Sequence, residues 1–230
     1  MTVSEMHNAF RQQVDKSTSL TGSVDFLSEE IDYWLNEAQE RFIKQRMFGT
    51  NYKQLGFEQG EKRIDDLRTL VVISDKYTLT QSTFASNMKY GSLDPNPTDA
   101  PYMYYINSSV YNVSNIQLQS GNVMQEEYVN DYIKDFINNP YIRRPFVLII
   151  GTTISFIHGD EFTPTQYDLT YVRKARTLTI NFPGTYETNI CELPQQSHKE
   201  IVTLAASLVI ENIESPRVQT YEQLNASKIE

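Results

Sequence analysis

Apolar residues recur along the chain at two periods, and the switch between them separates helices from strands. Val3, Met6, Phe10 and Val14 follow helical spacing and predict a short helix within residues 1–16. After a polar stretch at 17–22, Ile31, Trp34, Leu35, Ala38, Phe42 and Met47 mark one face of a longer helix, with Asp32, Glu37, Glu40 and Arg41 outside. Its end signals agree: Ser28 reads as N-cap, Glu29 and Glu30 place negative charge at the positive end of the helix dipole, and Lys44 and Arg46 fall in the last turn before Gly49. A shorter helix is expected over 58–67.

From residue 71 the period becomes two. Val71, Ile73, Asp75, Tyr77 and Leu79 alternate with Val72, Ser74, Lys76, Thr78 and Thr80, which predicts a strand, with 83–90 returning beside it. Three prolines and a glycine within 91–101 dictate a loop. Residues 102–118 are strand-like, with turns expected around Asn107 and Asn112. Tyr128 with Val129, Tyr132 with Ile133 and Phe136 with Ile137 predict a central helix stopped by Asn138-Asn139-Pro140. Residues 146–157 read as one strand, His158-Gly159-Asp160 as a tight connection with Gly159 at positive φ, and 167–173 as the partner strand. Leu178, Ile180 and Phe182 alternate once more. A last helix is expected over 198–213, capped by Ser197 with Glu200 completing a capping box and Ile201, Leu204, Ala205, Leu208 and Val209 on its apolar face.

Strands flanked by helices without strand-helix-strand alternation predict an α+β fold, a mostly antiparallel β-sheet flanked by N-terminal, central and C-terminal helices. A single domain over 1–230 is expected, with 1–22 as an N-terminal arm and 217–230 as a polar C-terminal tail.

Composition narrows the function. Apolar residues at 40% and charged residues at 21% belong to a folded globular chain. The longest apolar run, Phe146 to Ile150, is too short to span a bilayer, and the first residues lack the order of a signal peptide, so no membrane association is expected. One cysteine, Cys191, cannot form an internal disulfide and reads as a small buried hydrophobe. A net charge of −9 opposes tight binding along a phosphate backbone.

Catalytic motifs are missing. There is neither a phosphate-cradling glycine loop nor Gly-x-Ser-x-Gly, and Cys191, His7, His158 and His198 stand at spacings unrelated to a zinc site. His158-Gly159-Asp160-Glu161 can be drawn as a base beside carboxylates, but a solvated connection explains it as well. The acidic pairs Glu29-Glu30, Asp65-Asp66 and Glu126-Glu127 read as solvated helix faces. No cofactor, no metal and no enzyme activity are expected. Arg173 and Lys174 are expected at a sheet edge or an interface, since cationic side chains discourage stray strand pairing.

Three stretches carry a resemblance: residues 26–44 (FLSEEIDYWLNEAQERFIK), residues 167–174 (YDLTYVRK), and Leu193-Pro194 with His198-Lys-Glu-Ile-Val202 and Glu211-Asn-Ile-Glu214. Together they resemble the head-to-tail connector, or neck ring, proteins of crAss-like tailed bacteriophages. Where such relatives often carry proline after Arg-Lys, this chain has Ala175. The resemblance implies a structural virion protein assembled in the host cytoplasm, about twelve copies in a ring below the portal, contacts with portal and other neck or tail proteins, and genomic DNA passing the lumen without specific binding. The segments expected to reach neighbours are the arm, the loop with Pro95 and Pro97, the Arg173-Lys174 pair, and the tail with Tyr221 and Leu224. The alternatives are a tail-associated glycan hydrolase using two carboxylates and a receptor- or carbohydrate-binding tail module using the tyrosines of 102–111.

Overall fold

The structure, a computed structural model, describes residues 1–18, 26–49, 61–83, 87–114, 116–119, 123–129, 145–159, 162–180 and 190–212. The fold is α+β, with helices at the N-terminus, the centre and the C-terminus and two antiparallel sheets. By its contacts the chain divides into two compact units, Met1–Leu70 with Ala175–Glu230, and Val71–Lys174. In chain order the second is inserted into the first.

The first unit is helical. It holds α1 (Val3–Thr18), α2 (Ser28–Phe48), α3 (Glu61–Leu67) and α4 (His198–Asn212), and α4 packs against both α1 and α2. Val3, Met6, Phe10 and Val14 of α1 are sealed from solvent, so the expectation that the arm buries little within its own chain fails for residues 3–14. Each such side chain contributes about 1.5–3 kcal/mol on burial, which outweighs fraying at a terminus. Thr2 and Glu5 form a true capping box: Thr2 N–H donates to Glu5 Oε2 at 3.1 Å, and Glu5 N–H to Thr2 Oγ1 at 3.2 Å.

Helix α2 buries Ile31, Leu35, Ala38, Phe42 and Met47 as the periodicity requires, but Trp34 is only half-buried. Its N-cap is Leu27, one residue before the expected Ser28, and the Leu27 N–H donates to Glu30 Oε2 at 3.0 Å. Gly49 closes the helix at φ 74°. The alternating residues 178–180 form no strand. The Asn36 amide both accepts from Leu178 N–H at 2.7 Å and donates to Leu178 C=O at 2.8 Å, while Asp32 Oδ2 accepts from Ile180 N–H at 3.1 Å. Side chains of α2 thus replace a sheet neighbour for this extended backbone.

The second unit is two antiparallel sheets around one core. The first sheet runs β1 (Val71–Ile73), β9 (Gln166–Arg173), β5 (Tyr102–Tyr111) and β6 (Gln117–Gln119), with β2 (Tyr77–Thr78) also on β9; the second runs β3 (Thr80–Gln81), β4 (Met88–Ser92), β8 (Thr153–Ile157) and β7 (Phe146–Ile150). Leu79, Val110, Val147, Ile154, Phe156, Tyr167 and Leu169 join in a core to which both sheets contribute. Several sequence expectations change here. The single strand expected over 71–80 is three short ones, because the chain leaves β9 at Leu79 and crosses to pair with β4. Residues 146–157 form a hairpin, with Gly151 at φ 57° in the turn, and positive φ falls there and not at Gly159. The partner of β8 is β4, whereas β9 sits between β1 and β5. Asn107 lies inside β5 at a shift of register, and Gly91 and Ser92 belong to β4, so the proline-rich loop begins at Leu93.

The central helix is described only at 126–129, which are helical; the rest of 130–144, Asp160 and Glu161, and the tail with Tyr221 and Leu224 lie outside the described residues. Among the described residues no helix is long and apolar enough to cross a membrane.

Candidate functional site

Four of the six residues expected at an interface, Pro95, Pro97, Arg173 and Lys174, lie among the described residues of the second unit. The register pairs Tyr102 with Arg173, the Lys174 N–H donates to Pro101 C=O at 2.8 Å, and the loop carrying Pro95 and Pro97 runs directly into Pro101. Arg173 ends β9, with Tyr102 of β5 as its partner on one side, while the register with β1 stops at Val172. The loop is pinned within its own unit. Leu93 and Ala100 are buried, Tyr102 N–H donates to Asp94 Oδ1 at 3.2 Å, and the Tyr171 hydroxyl donates to Ala100 C=O at 2.7 Å. Pro97, Lys174 and Asp99 are exposed and Pro95 and Arg173 half-buried.

The tyrosines of 102–111 serve mainly their own sheets. Tyr102 packs on Tyr171 with ring centroids 5.7 Å apart. Tyr111 is 5% exposed, donates to Asp168 Oδ2 at 2.6 Å and lies under Lys76 Nζ, 3.8 Å from its ring centroid. Burial and the Asp168 contact push its hydroxyl up to about 12.

Polar chemistry in the first unit centres on Arg46, 8% exposed. Its Nε lies 2.8 Å from Asp66 Oδ2, its Nη2 meets Glu200, and the guanidinium covers the Phe42 ring at 4.7 Å. Ser197 Oγ and Gln196 Nε2 both donate to Asp66 Oδ1, at 3.2 and 3.1 Å. Hence the capping box expected at 197–200 does not form: Ser197 and Glu200 are drawn to Asp66 and Arg46, and a short 3₁₀ turn, Gln195–Ser197, precedes α4. Asp66, expected on a solvated face, is 2% exposed.

The three histidines and the cysteine lie apart from this cluster. His7 Nε2 bonds Asp32 Oδ1 at 2.7 Å. His198 Nε2–H donates to Leu193 C=O at 2.8 Å, which leaves Nδ1 to accept from the Met1 amino group at 2.8 Å; burial holds its pKa below the ordinary value. Cys191 is buried, its Sγ lies 3.9 Å from Gln39 Oε1, and burial pushes its thiol up, opposite to an activated nucleophile. His158 is buried with Nδ1–H on the Gly159 carbonyl at 2.9 Å. Among the described residues no group of three or more His, Cys, Asp or Glu side chains is arranged to hold a metal ion.

One recess was missed by the sequence reading. Where the start of α2 meets the end of α4, an open groove of about 440 Å³ is walled by Phe26, Tyr33, Trp34 and Val209. Glu29, Glu30 and Asn212 complete its lining. Tyr33 is 62% exposed and meets Trp34 edge-to-face at 5.2 Å, while Phe26 is held by Phe10 at 5.8 Å. The signal in the sequence was Tyr33 beside Trp34, an aromatic pair straddling the boundary of the apolar face.

An α+β chain in which a helical unit is interrupted by a two-sheet unit is the class these features define. No protein-family model matches the chain, and no curated protein sequence matches it.

Proposed function

We propose that the protein is a structural virion component, one subunit of an oligomeric ring in the head-to-tail connector of a tailed phage. The observation that carries this reading is the distribution of the resembling stretches. They coincide with α2, with the central strand β9 and with α4, the elements around which each unit packs. A likeness confined to such framework elements speaks for a shared subunit fold and lends no catalytic residue.

Charge is consistent with the same role. Twelve copies at −9 carry roughly −100, and a lumen of that sign repels phosphate and lets DNA slide. Pro97 and Lys174, both exposed, mark the surface we assign to subunit contact. Of the acidic pairs open to the glycan-hydrolase alternative, Asp65-Asp66 is set aside, because Asp66 is sealed beneath Arg46, Ser197 and Gln196. The tyrosine-stretch alternative loses Tyr102 and Tyr111 to their intramolecular partners.

The test is assembly. Purified protein, alone and mixed with purified portal, is examined by sedimentation and negative-stain imaging; closed rings are expected, and Lys174→Glu combined with Pro97→Gly should weaken them. A chain that stays monomeric with portal and with tail components overturns the proposal.

A further inference from the structure

The groove between the start of α2 and the end of α4 has the composition of a cation-binding recess, and it does not depend on the connector reading. Its lining combines three aromatic side chains with two carboxylates, and several of these residues are already held in place. Phe26 is fixed by Phe10, Trp34 by Tyr33, and Glu30 by the Leu27 N–H. Glu29 makes no ion pair among the described residues and is exposed.

The geometry points to an arginine-bearing segment of a partner protein as the occupant. A guanidinium is planar and weakly hydrated; it stacks on aromatic faces and pairs with carboxylates at the same time, which an ammonium does less well. Here Tyr33 and Trp34 offer the faces and Glu29 and Glu30 the carboxylates, while Phe26 and Val209 receive an aliphatic neighbour of the arginine. Charge complementarity excludes an acidic segment, and a volume of about 440 Å³ suits one or two side chains, not a folded domain.

Trp34 is the sole tryptophan of the chain, so its emission reports on this groove alone. The full-length protein is titrated with a blocked pentapeptide alternating leucine and arginine, and with the same peptide carrying citrulline, the neutral isostere of arginine. A saturable change in Trp34 emission is expected, about tenfold tighter for arginine than for citrulline and weakened by added salt. Glu29→Gln, an exposed change that keeps the Glu30 cap, should weaken binding several-fold with an unchanged melting temperature, and Tyr33→Ala should weaken it independently. Equal response to the two peptides, no saturable change up to millimolar peptide, or a response to a neutral hexasaccharide in place of the arginine peptide would each overturn the assignment. Failure of ring assembly with intact peptide binding would leave this site standing and count only against the connector.

Discussion

The two units solve the problem of buried polar groups in opposite ways. In the helical unit the interior polarity is ionic, with Arg46 between Asp66 and Glu200. In the sheet unit it is mostly phenolic: Tyr167 donates to Ser92 C=O at 2.8 Å and Tyr171 to Ala100 C=O at 2.7 Å, both rings buried. Ionic partners require each other, since a lone buried charge is costly, whereas a phenol asks only for an acceptor and a fitted slot for its ring. The helical unit should therefore fail by loss of a charge and the sheet unit by loss of shape.

The largest expected effect breaks the ionic side. Asp66→Ala leaves the Arg46 guanidinium buried with only Glu200, and should cost about 3–5 kcal/mol in denaturant unfolding. Replacing both partners, Arg46→Met with Asp66→Leu, should recover most of that loss. If the double variant is no more stable than the single one, the interior is held by packing and not by the pairing of charges.

The next breaks shape. A Cβ at Gly91 would overlap the Tyr167 ring, and that ring cannot retreat because it is buried and tied to Ser92 C=O. Gly91→Ala should destabilise the sheet unit by about 1–3 kcal/mol, and adding Tyr167→Leu should relieve part of the overlap. Additive losses in the double variant would remove the steric explanation.

How much of this could be read beforehand differs between the units for the same physical reason. Periodicity located α1, α2 and α4 because a helix closes its hydrogen bonds locally and its buried face is set by neighbours three and four residues away. It did not reveal which strands pair. The pairing of β8 with β4, and of β9 with β1 and β5, depends on residues about 55 to 100 positions apart, which no local pattern encodes. Gly91 looked like loop punctuation and is a strand residue, needed because an aromatic ring from β9 lies on it. The groove was hidden likewise, since Val209 and Asn212 complete a wall begun by Phe26.

Acidity and alkalinity should separate the units. Burial depresses the His198 pKa, so its contribution is complete above the ordinary value of 6.5 and is lost as pH falls through the lower folded-state value. Burial raises the Tyr167 pKa to about 12, so its contribution is complete below 10.0 and is lost as pH rises toward 12. Trp34 emission, followed across urea transitions, should report weakening of the helical unit on the acid side that His198→Asn flattens. Tyrosinate absorbance should report the sheet unit opening on the alkaline side. Loss of both signals together at either extreme would mean that the units do not unfold independently.

The smallest effect sharpens the comparison within the helical unit, where two Ser/Thr-x-x-Glu sequences meet different fates. At Thr2–Glu5 nothing competes for the side chains and they cap α1; at Ser197–Glu200 the ions of Asp66 and Arg46 take them away. Thr2→Ala should cost about 1 kcal/mol or less and raise amide exchange only in the first turn of α1. Ser197→Ala removes a donor from a buried carboxylate, so its cost should fall sharply in a background that already lacks Arg46 and Asp66, whereas the cost of Thr2→Ala should be the same in either background. Equal behaviour of the two substitutions in both backgrounds would show that Ser197 acts as an ordinary cap after all.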